Sequence, residues 1–245
     1  VVFLLISLWF GEGLGVRGQV FVNIGLIFLG GSLLMVRRYG LNPREAFALR
    51  PVHPAVWLAV LIGIPAGYIV GIGLAGLVNT YVFPVPQNVL EAFGESLLGD
   101  EMPLWQLVFF LTIVPGVLEE IAFRGVLLHG LRKKMGPVAV CLVVGAIFGI
   151  FHVSLFRLVP TAFLGVLFAA VVLLTGSIFP AMLWHFGNNF IALVPAQLGW
   201  VTEDTPIPTW WYVVGVVGLS LAFAIVWSVR TPYPDLKKKR PDGFA

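Results

Sequence analysis

The stretch Pro115-Gly-Val-Leu-Glu-Glu-Ile-Ala-Phe-Arg124 places two adjacent carboxylates and a guanidinium inside a long apolar run. An ionised side chain at the centre of a bilayer costs at least about 2.5–3.5 kcal/mol. Charged groups in such segments therefore pair with one another, face a polar cavity or take part in chemistry. The stretch predicts a membrane helix that carries a buried polar site.

The rest of the composition agrees with a membrane protein. Of 245 residues, 59% are hydrophobic and only 11% are charged, and the mean hydropathy is +0.97. These values predict an all-α, polytopic membrane helix bundle rather than a soluble domain. The net charge of +3 comes from basic clusters beside apolar segments, which favours membrane orientation over nucleic-acid binding. Because Cys141 is the single cysteine, a disulfide within the chain is excluded.

Each membrane crossing needs about 20 apolar residues, and the sequence supplies about eight candidate segments. We expect them near residues 1–16, 18–36, 54–83, 104–131, 137–156, 158–175, 178–199 and 209–229. The first segment resembles the end of a truncated helix. The chain then divides into N-terminal helices with an outer loop (1–103), a central unit (104–199), a last membrane helix (200–229) and a basic tail (230–245).

The charges between segments predict the orientation of the chain. Basic residues follow the second, fourth and eighth segments: Arg37, Arg38, Arg44, Arg50, Arg132, Lys133, Lys134, Arg230 and the tail residues 237–240. Acidic residues follow the third and seventh: Glu91, Glu95, Asp100, Glu101, Glu203 and Asp204. The basic loops and the C-terminus are therefore expected in the cytoplasm, in a multi-pass protein of the plasma (inner) membrane. Residues 86–98 predict a short amphipathic helix on the outer surface.

Within the fourth segment, the spacing separates the roles of the two carboxylates. Glu120 and Arg124 stand four residues apart, so their side chains are expected to meet and neutralise one another. Glu119 is rotated by about 100° from Glu120 around the helix axis. It is thus the carboxylate left free to act as a general acid or base.

Two further segments add polar groups at matching depths. The fifth contains Phe148-Gly-Ile-Phe-His152, and the seventh places His185 and Asn189 one turn apart. Counted at 1.5 Å per residue from the cytoplasmic ends, Glu119 lies about 20 Å deep, His152 about 24 Å, Asn189 about 18 Å and His185 about 12 Å. All fall within a hydrocarbon layer of about 30 Å. A site between segments 4, 5 and 7 is the prediction.

Each of these residues also has a purely structural interpretation. An intramembrane histidine can simply hydrogen-bond two helices, Asn188 can act as glue between helices, and Phe148 can pack against its neighbours. Glu120 and Arg124 can form an internal brace. A structural bundle gains nothing, however, from burying Glu119 together with two imidazoles, so the set as a whole favours a catalytic site.

Several other catalytic designs are missing from the sequence. It contains no His-Glu-x-x-His zinc helix and no Gly-x-Ser-x-Gly nucleophile elbow. No aspartate lies in an apolar segment, which excludes an intramembrane aspartyl dyad. Phosphate-binding and dinucleotide-binding glycine motifs are also absent.

At three motifs the chain resembles the CPBP family of intramembrane endopeptidases, the CAAX protease and bacteriocin-processing proteins also called Abi. The motifs are Glu119-Glu120-x-x-x-Arg124, Phe148-x-x-x-His152 and His185-x-x-x-Asn189, in that order. The resemblance covers about residues 104–199 and implies that this unit is the catalytic core.

The resemblance implies specific roles for these residues. Glu119 and His152 would activate the hydrolytic water, while His185 and Asn189 would bind the scissile carbonyl or its oxyanion. Glu120, Arg124 and Phe148 would support them. The family has been described both as metalloproteases and as glutamate-dependent proteases, and Glu119, His152 and His185 could together bind zinc. Because one carboxylate cannot easily serve as both ligand and base, the account without a cofactor is preferred.

The implied function is hydrolysis of a peptide bond in a membrane protein or peptide, such as a prenylated CAAX protein or a bacteriocin-related peptide. The alternative is a non-catalytic immunity or scaffold protein, or an ion-coupled transporter, that uses the same polar site for binding. The bilayer is an expected partner and nucleic acid is not. The sequence leaves the natural substrate and the oligomeric state open.

Overall fold

The computed structural model describes residues 18, 20–90, 102–152, 154–200, 207–231 and 233. Within these residues the secondary structure is helical and contains no β-strand, which confirms the all-α prediction. The helices are α1 (Phe21–Gly30, continued by Gly31–Arg38), α2 (Pro43–Ala46), α3 (Pro54–Tyr81), α4 (Leu104–Leu131), α5 (Pro137–Phe151), α6 (Leu155–Thr175), α7 (Phe179–Gln197) and α8 (Trp210–Ser228).

In the described part of the chain, four helices are long and apolar enough to cross a membrane, namely α3, α4, α6 and α8. With 15 residues, α5 is about 22 Å long, which is less than the hydrocarbon thickness of about 30 Å. The polar residues of α7 lower its hydropathy. The expected segment 1–16 lies outside the described residues. The total of eight crossings therefore stays a prediction.

The helix boundaries agree with the expected segments except between α5 and α6. The fifth segment was expected to continue to residue 156, but α5 ends at Phe151 and His152 forms its C-terminal cap. Ser154 then has an extended backbone, with φ −138° and ψ 117°, and α6 begins at Leu155. This corrects the expectation that His152 lies within a helix: it occupies the tip of the α5–α6 hairpin.

Close packing of α5 against α6 depends on glycine. A Cβ atom on Gly145 would lie 2.8 Å from the carbonyl oxygen of Ala162, and one on Gly149 would lie 2.7 Å from that of Leu158. Small residues at such positions let the backbones of membrane helices approach closely. The same packing brings Phe148 of α5 beside α6.

Helix α7 lies between α3 and α4. The side chain of Trp184 is fully buried and lies against Gly63 and Gly67 of α3. On the other side, a Cβ atom on Gly116 of α4 would lie 3.0 Å from the backbone nitrogen of Phe186. This second contact places the Glu119–Glu120 turn of α4 beside the His185 turn of α7.

The connections after α2, α6 and α8 meet at one end of the bundle. Ser177 Oγ donates to the carbonyl of Arg50 at 2.6 Å, and the Tyr233 hydroxyl donates to the carbonyl of Glu45 at 2.6 Å. These connections follow the second, sixth and eighth expected segments, which are predicted to end on the same side of the membrane. Their meeting at one end of the bundle agrees with that prediction. Most of the expected outer amphipathic helix (91–98), the acidic loop residues and the tail residues 237–240 lie outside the described residues.

Candidate active site

The ion pair predicted within α4 is present and completely buried. Arg124 Nη1 lies 2.8 Å from Glu120 Oε1, and both side chains have an exposed fraction of zero. The pair spans the junction between the α-helical segment Val114–Glu120 and the π-helical segment Ile121–Leu127. π-Helical turns inside α-helices are frequent at functional sites.

Arg124 also joins α4 to its neighbours. Its Nη2 donates to the carbonyl of Gly165 on α6 at 3.1 Å. The guanidinium carbon lies 4.4 Å from the ring centre of Phe148 and 5.1 Å from that of Phe168. At these distances the positive charge interacts favourably with both π systems. The residue therefore supports the junction of three helices.

The Glu120 carboxylate has a second partner that the sequence did not predict. His185 Nδ1 lies 2.9 Å from the same Oε1 atom that contacts Arg124. The imidazole is 3% exposed, stacks on Phe168 at 5.3 Å and meets the edge of Phe148 at 5.6 Å. Because an ionised carboxylate only accepts hydrogen bonds, Nδ1 carries the proton in this pair. Nε2 is then the ring nitrogen left for a substrate or water.

His152 shows the same arrangement with a different acceptor. Its Nδ1 lies 2.8 Å from the carbonyl oxygen of Phe148, one turn earlier, and the two rings are 4.8 Å apart. A carbonyl oxygen can only accept, so Nδ1 of His152 also carries a proton and Nε2 of the neutral ring holds a lone pair. Phe148 thus contacts both imidazoles.

The two asparagines of α7 differ in their surroundings. Asn189 is half-buried, and its Nδ2 donates to the carbonyl of Leu111 at 3.3 Å. Pro115 has no N–H to donate to that carbonyl in an α-helical hydrogen bond. The amide of Asn189 retains a second N–H. Asn188, expected as glue between helices, is buried, and its Oδ1 has no hydrogen-bond partner among the described residues.

Glu119 is half-buried on α4, and its side chain is not part of the Glu120–Arg124 pair. It interacts electrostatically with His185 and with Arg157 on the first turn of α6. Arg157 also interacts electrostatically with His152. Arg157 was not predicted as a site residue, because it falls in the expected connection between segments five and six. Its position five residues after His152 was the available signal.

The proposed zinc ligands do not form a ligand set in this structure. Among the described residues, no three His, Cys, Asp or Glu side chains are grouped so that they could hold a metal ion. Zinc binding by Glu119, His152 and His185 stays a prediction.

An apolar cleft lies between α1 and α4. It has a volume of about 360 Å³, and its lining includes Phe28, Met35, Val126 and Leu131. Ala122, which also lines the cleft, is three residues from Glu119 and therefore lies on the same side of α4. The cleft could hold a hydrocarbon chain.

The structure thus brings together most of the residues singled out in the sequence. Glu120, Arg124, Phe148 and His185 are in direct contact, and His152 joins them through Phe148. Asn189 makes its hydrogen bond to Leu111, on the same helix as Glu119. The catalytic roles of these residues stay predictions.

A comparison with protein families matches this part of the chain. Residues 101–191 match the model of a family described as type II CAAX prenyl endopeptidase Rce1-like. The matched range contains all three motifs. No curated protein and no solved structure matches the chain. The resemblance predicted from the motifs is confirmed: residues 101–191 are similar to the Rce1-like type II CAAX prenyl endopeptidases of the CPBP family.

Proposed function

We propose that this protein is an intramembrane endopeptidase that hydrolyses a peptide bond of a membrane-associated or lipidated protein or peptide. The observation that carries the proposal is the placement of two imidazoles around Phe148, one on α7 and one at the C-terminal cap of α5. Each imidazole has its Nδ1 atom bound to an acceptor, so each presents Nε2 to the reaction.

In the proposed reaction, Glu119 and His152 activate the water. Nε2 of His152 accepts one hydrogen bond from the water, which orients it, and the Glu119 carboxylate removes the proton as the oxygen attacks the carbonyl carbon. General-base catalysis of this kind contributes about 10²–10⁴-fold to the rate. Asn189 and, once it is protonated at Nε2, His185 are proposed to bind the carbonyl oxygen, where one hydrogen-bond donor contributes about 2.7–4 kcal/mol.

Glu120, Arg124 and Phe148 are proposed to hold this arrangement in place. The buried ion pair fixes the carboxylate against α6 and α7, and Phe148 separates the two histidines. We further propose that the polypeptide crosses the plasma (inner) membrane with its basic loops in the cytoplasm. The meeting of the connections that carry Arg50, Ser177 and Tyr233 at one end supports that orientation.

The family match and the cleft support a lipidated substrate. A lipid chain on the substrate would lie in the apolar space between α1 and α4, which would bring the adjoining peptide toward Glu119. Prenylated CAAX peptides are therefore the first substrates to test. No cofactor is needed in this account.

Turnover in reconstituted vesicles tests the proposal. We expect cleavage of a farnesylated peptide that ends in Cys-Ala-Ala-X, with at least a 100-fold loss in Glu119→Gln and His152→Ala. Glu45→Gln is the matched control, because Glu45 is an exposed carboxylate away from the cluster. Unchanged cleavage in Glu119→Gln would show that the catalytic assignment is wrong. Proton or ion flux without cleavage would instead favour the transporter alternative.

A further inference from the structure

One oxygen of Glu120 contacts both Arg124 and His185, and this contact determines which nitrogen of His185 carries the proton. Glu120 Oε1 is 2.8 Å from Arg124 Nη1 and 2.9 Å from His185 Nδ1. The guanidinium compensates the carboxylate charge, so Glu120 can stay ionised in an apolar surrounding and accept both hydrogen bonds. The Nδ1 proton of His185 is held by this carboxylate.

Because the proton is held on Nδ1, Nε2 of His185 can accept a hydrogen bond or a proton. In the neutral ring, Nε2 holds a lone pair and cannot donate a hydrogen bond to an oxyanion. It becomes a donor only after it has taken up a proton. A carboxylate that binds Nδ1–H also stabilises the imidazolium that then forms, as in carboxylate–histidine pairs of hydrolases.

We infer that His185 carries a proton at Nε2 to the leaving nitrogen of the scissile bond, and that Glu120 is the positioning residue that fixes His185 for this transfer. The inference rests on the proposed function. It gives Glu120 a role in the reaction beyond its ion pair with Arg124. It also gives His185 a role that an ordinary hydrogen-bond donor could not fill.

The proton transfers balance. Water forms the C–O bond and gives one proton to Glu119, while the carbonyl electrons move to oxygen. Glu119 passes that proton to Nε2 of His185, with which it interacts electrostatically. The C–N bond then breaks, its electron pair stays on nitrogen, and the nitrogen takes the proton from Nε2 as the carbonyl re-forms. Glu119 returns to the carboxylate and His185 to the neutral ring.

The surroundings of the ring favour this role. Phe168 stacks on one face of the imidazole and Phe148 approaches it edge-on, so the ring cannot easily turn to exchange its two nitrogens. Asn189 lies one turn away on α7 and has an amide N–H left after its bond to Leu111. Asn189 is thus the residue suited to bind the oxyanion throughout the reaction.

The test compares an amide with an ester in the same peptide. An amine leaves only when protonated, whereas an alkoxide leaves more readily without an acid, and both reactions need oxyanion stabilisation. The substrates are a farnesylated Cys-Ala-Ala-X peptide and its analogue with an ester at the scissile bond. In His185→Gln, which keeps a donor but cannot transfer a proton, we expect amide cleavage to fall by about 10²–10⁴-fold. Ester cleavage should fall at least ten times less.

Asn189→Ala is the matched comparison, and it should lower amide and ester cleavage by similar factors. Equal losses for both substrates in His185→Gln would overturn the inference while leaving the proposed function intact. Failure of the wild-type protein to cleave either peptide would instead count against the proposed function.

A second measurement does not depend on turnover. With ¹⁵N-labelled histidine, the wild-type protein in micelles should show His185 protonated at Nδ1, and His185→Gln identifies the signal. A neutral ring protonated at Nε2 would overturn the inference, because such a ring could not accept the proton from Glu119.

Discussion

His185 Nδ1 lies 2.9 Å from Glu120 Oε1, although the two residues are 65 positions apart in the chain. This hydrogen bond joins α4 to α7 inside the bundle, and it uses the same oxygen atom as the ion pair with Arg124. The three residues therefore form one buried polar unit, and changing one of them alters the surroundings of the other two.

The first prediction concerns the stability of this unit. Glu120→Ala and Arg124→Ala should each lower the free energy of unfolding in detergent by about 3–5 kcal/mol, because each leaves a buried charge without its partner. The double variant should lose less than the sum of the two, which a double-mutant cycle measures. Arg38→Ala, at an exposed arginine, is the control and should change stability by less than about 0.5 kcal/mol. Additive losses would contradict the ion pair.

A second prediction concerns the contact between α5 and α6. Gly145→Ala should destabilise the protein by about 1–3 kcal/mol, because its methyl group would lie 2.8 Å from the Ala162 carbonyl oxygen. Gly76→Ala is the matched control: it has no atom within 4 Å of the added methyl group. Since alanine favours helix more than glycine does, the control should be neutral or slightly stabilising. Thermal unfolding of both variants gives the comparison.

Much of the fold could be predicted because it depends on local patterns. The expected segment 104–131 coincides with α4. The four-residue spacing of Glu120 and Arg124 correctly predicted that their side chains are in contact. The break after Phe151 could not be predicted because His152, Ser154 and Arg157 are isolated polar residues between two long apolar runs. That break depends on the packing of α5 against α6, which is not encoded in the hydropathy of either helix.

The residues of the candidate site could be predicted from the sequence, but the contacts between them could not. The sequence identified Glu120 and His185 separately, and helical periodicity relates only residues on the same helix. The hydrogen bond between them depends on the close approach of Gly116 to the backbone of Phe186, a tertiary contact. Arg157 was missed for the same reason as the helix break, since its place on α6 follows from where α6 begins.

A third prediction concerns metal dependence. Because no three candidate ligands are grouped in the described part of the chain, we expect less than about 0.1 zinc per protein molecule after purification without added metal. Cleavage should persist after treatment with a chelator and buffer exchange. Stoichiometric zinc, with activity lost on chelation and restored by zinc, would contradict the metal-free mechanism. Elemental analysis of His152→Ala would then show whether that residue is a ligand.

A fourth prediction concerns the anchoring of the C-terminal segment by Tyr233. Its backbone N–H donates to the carbonyl of Leu173 at 3.1 Å, its hydroxyl donates to the carbonyl of Glu45 at 2.6 Å, and the Arg132 guanidinium carbon lies 3.7 Å from its ring centre. Tyr233→Phe should lower stability by about 0.5–1.5 kcal/mol through loss of the hydroxyl bond. Tyr81→Phe, at a largely exposed tyrosine, is the control and should have almost no effect.

The same contact should respond to alkaline pH. Burial raises the pKa of the Tyr233 hydroxyl above its usual value of about 10. A group whose pKa is higher in the folded state stabilises that state at pH values below the unfolded pKa, and the contribution disappears as the pH rises through the folded pKa. Wild-type protein should therefore lose protection of the segment after α8 against proteolysis above about pH 10, when the hydroxyl ionises and can no longer donate to Glu45. Tyr233→Phe should show weaker protection at neutral pH and a smaller further loss at high pH. An identical pH dependence in both proteins would show that the hydroxyl does not hold the segment.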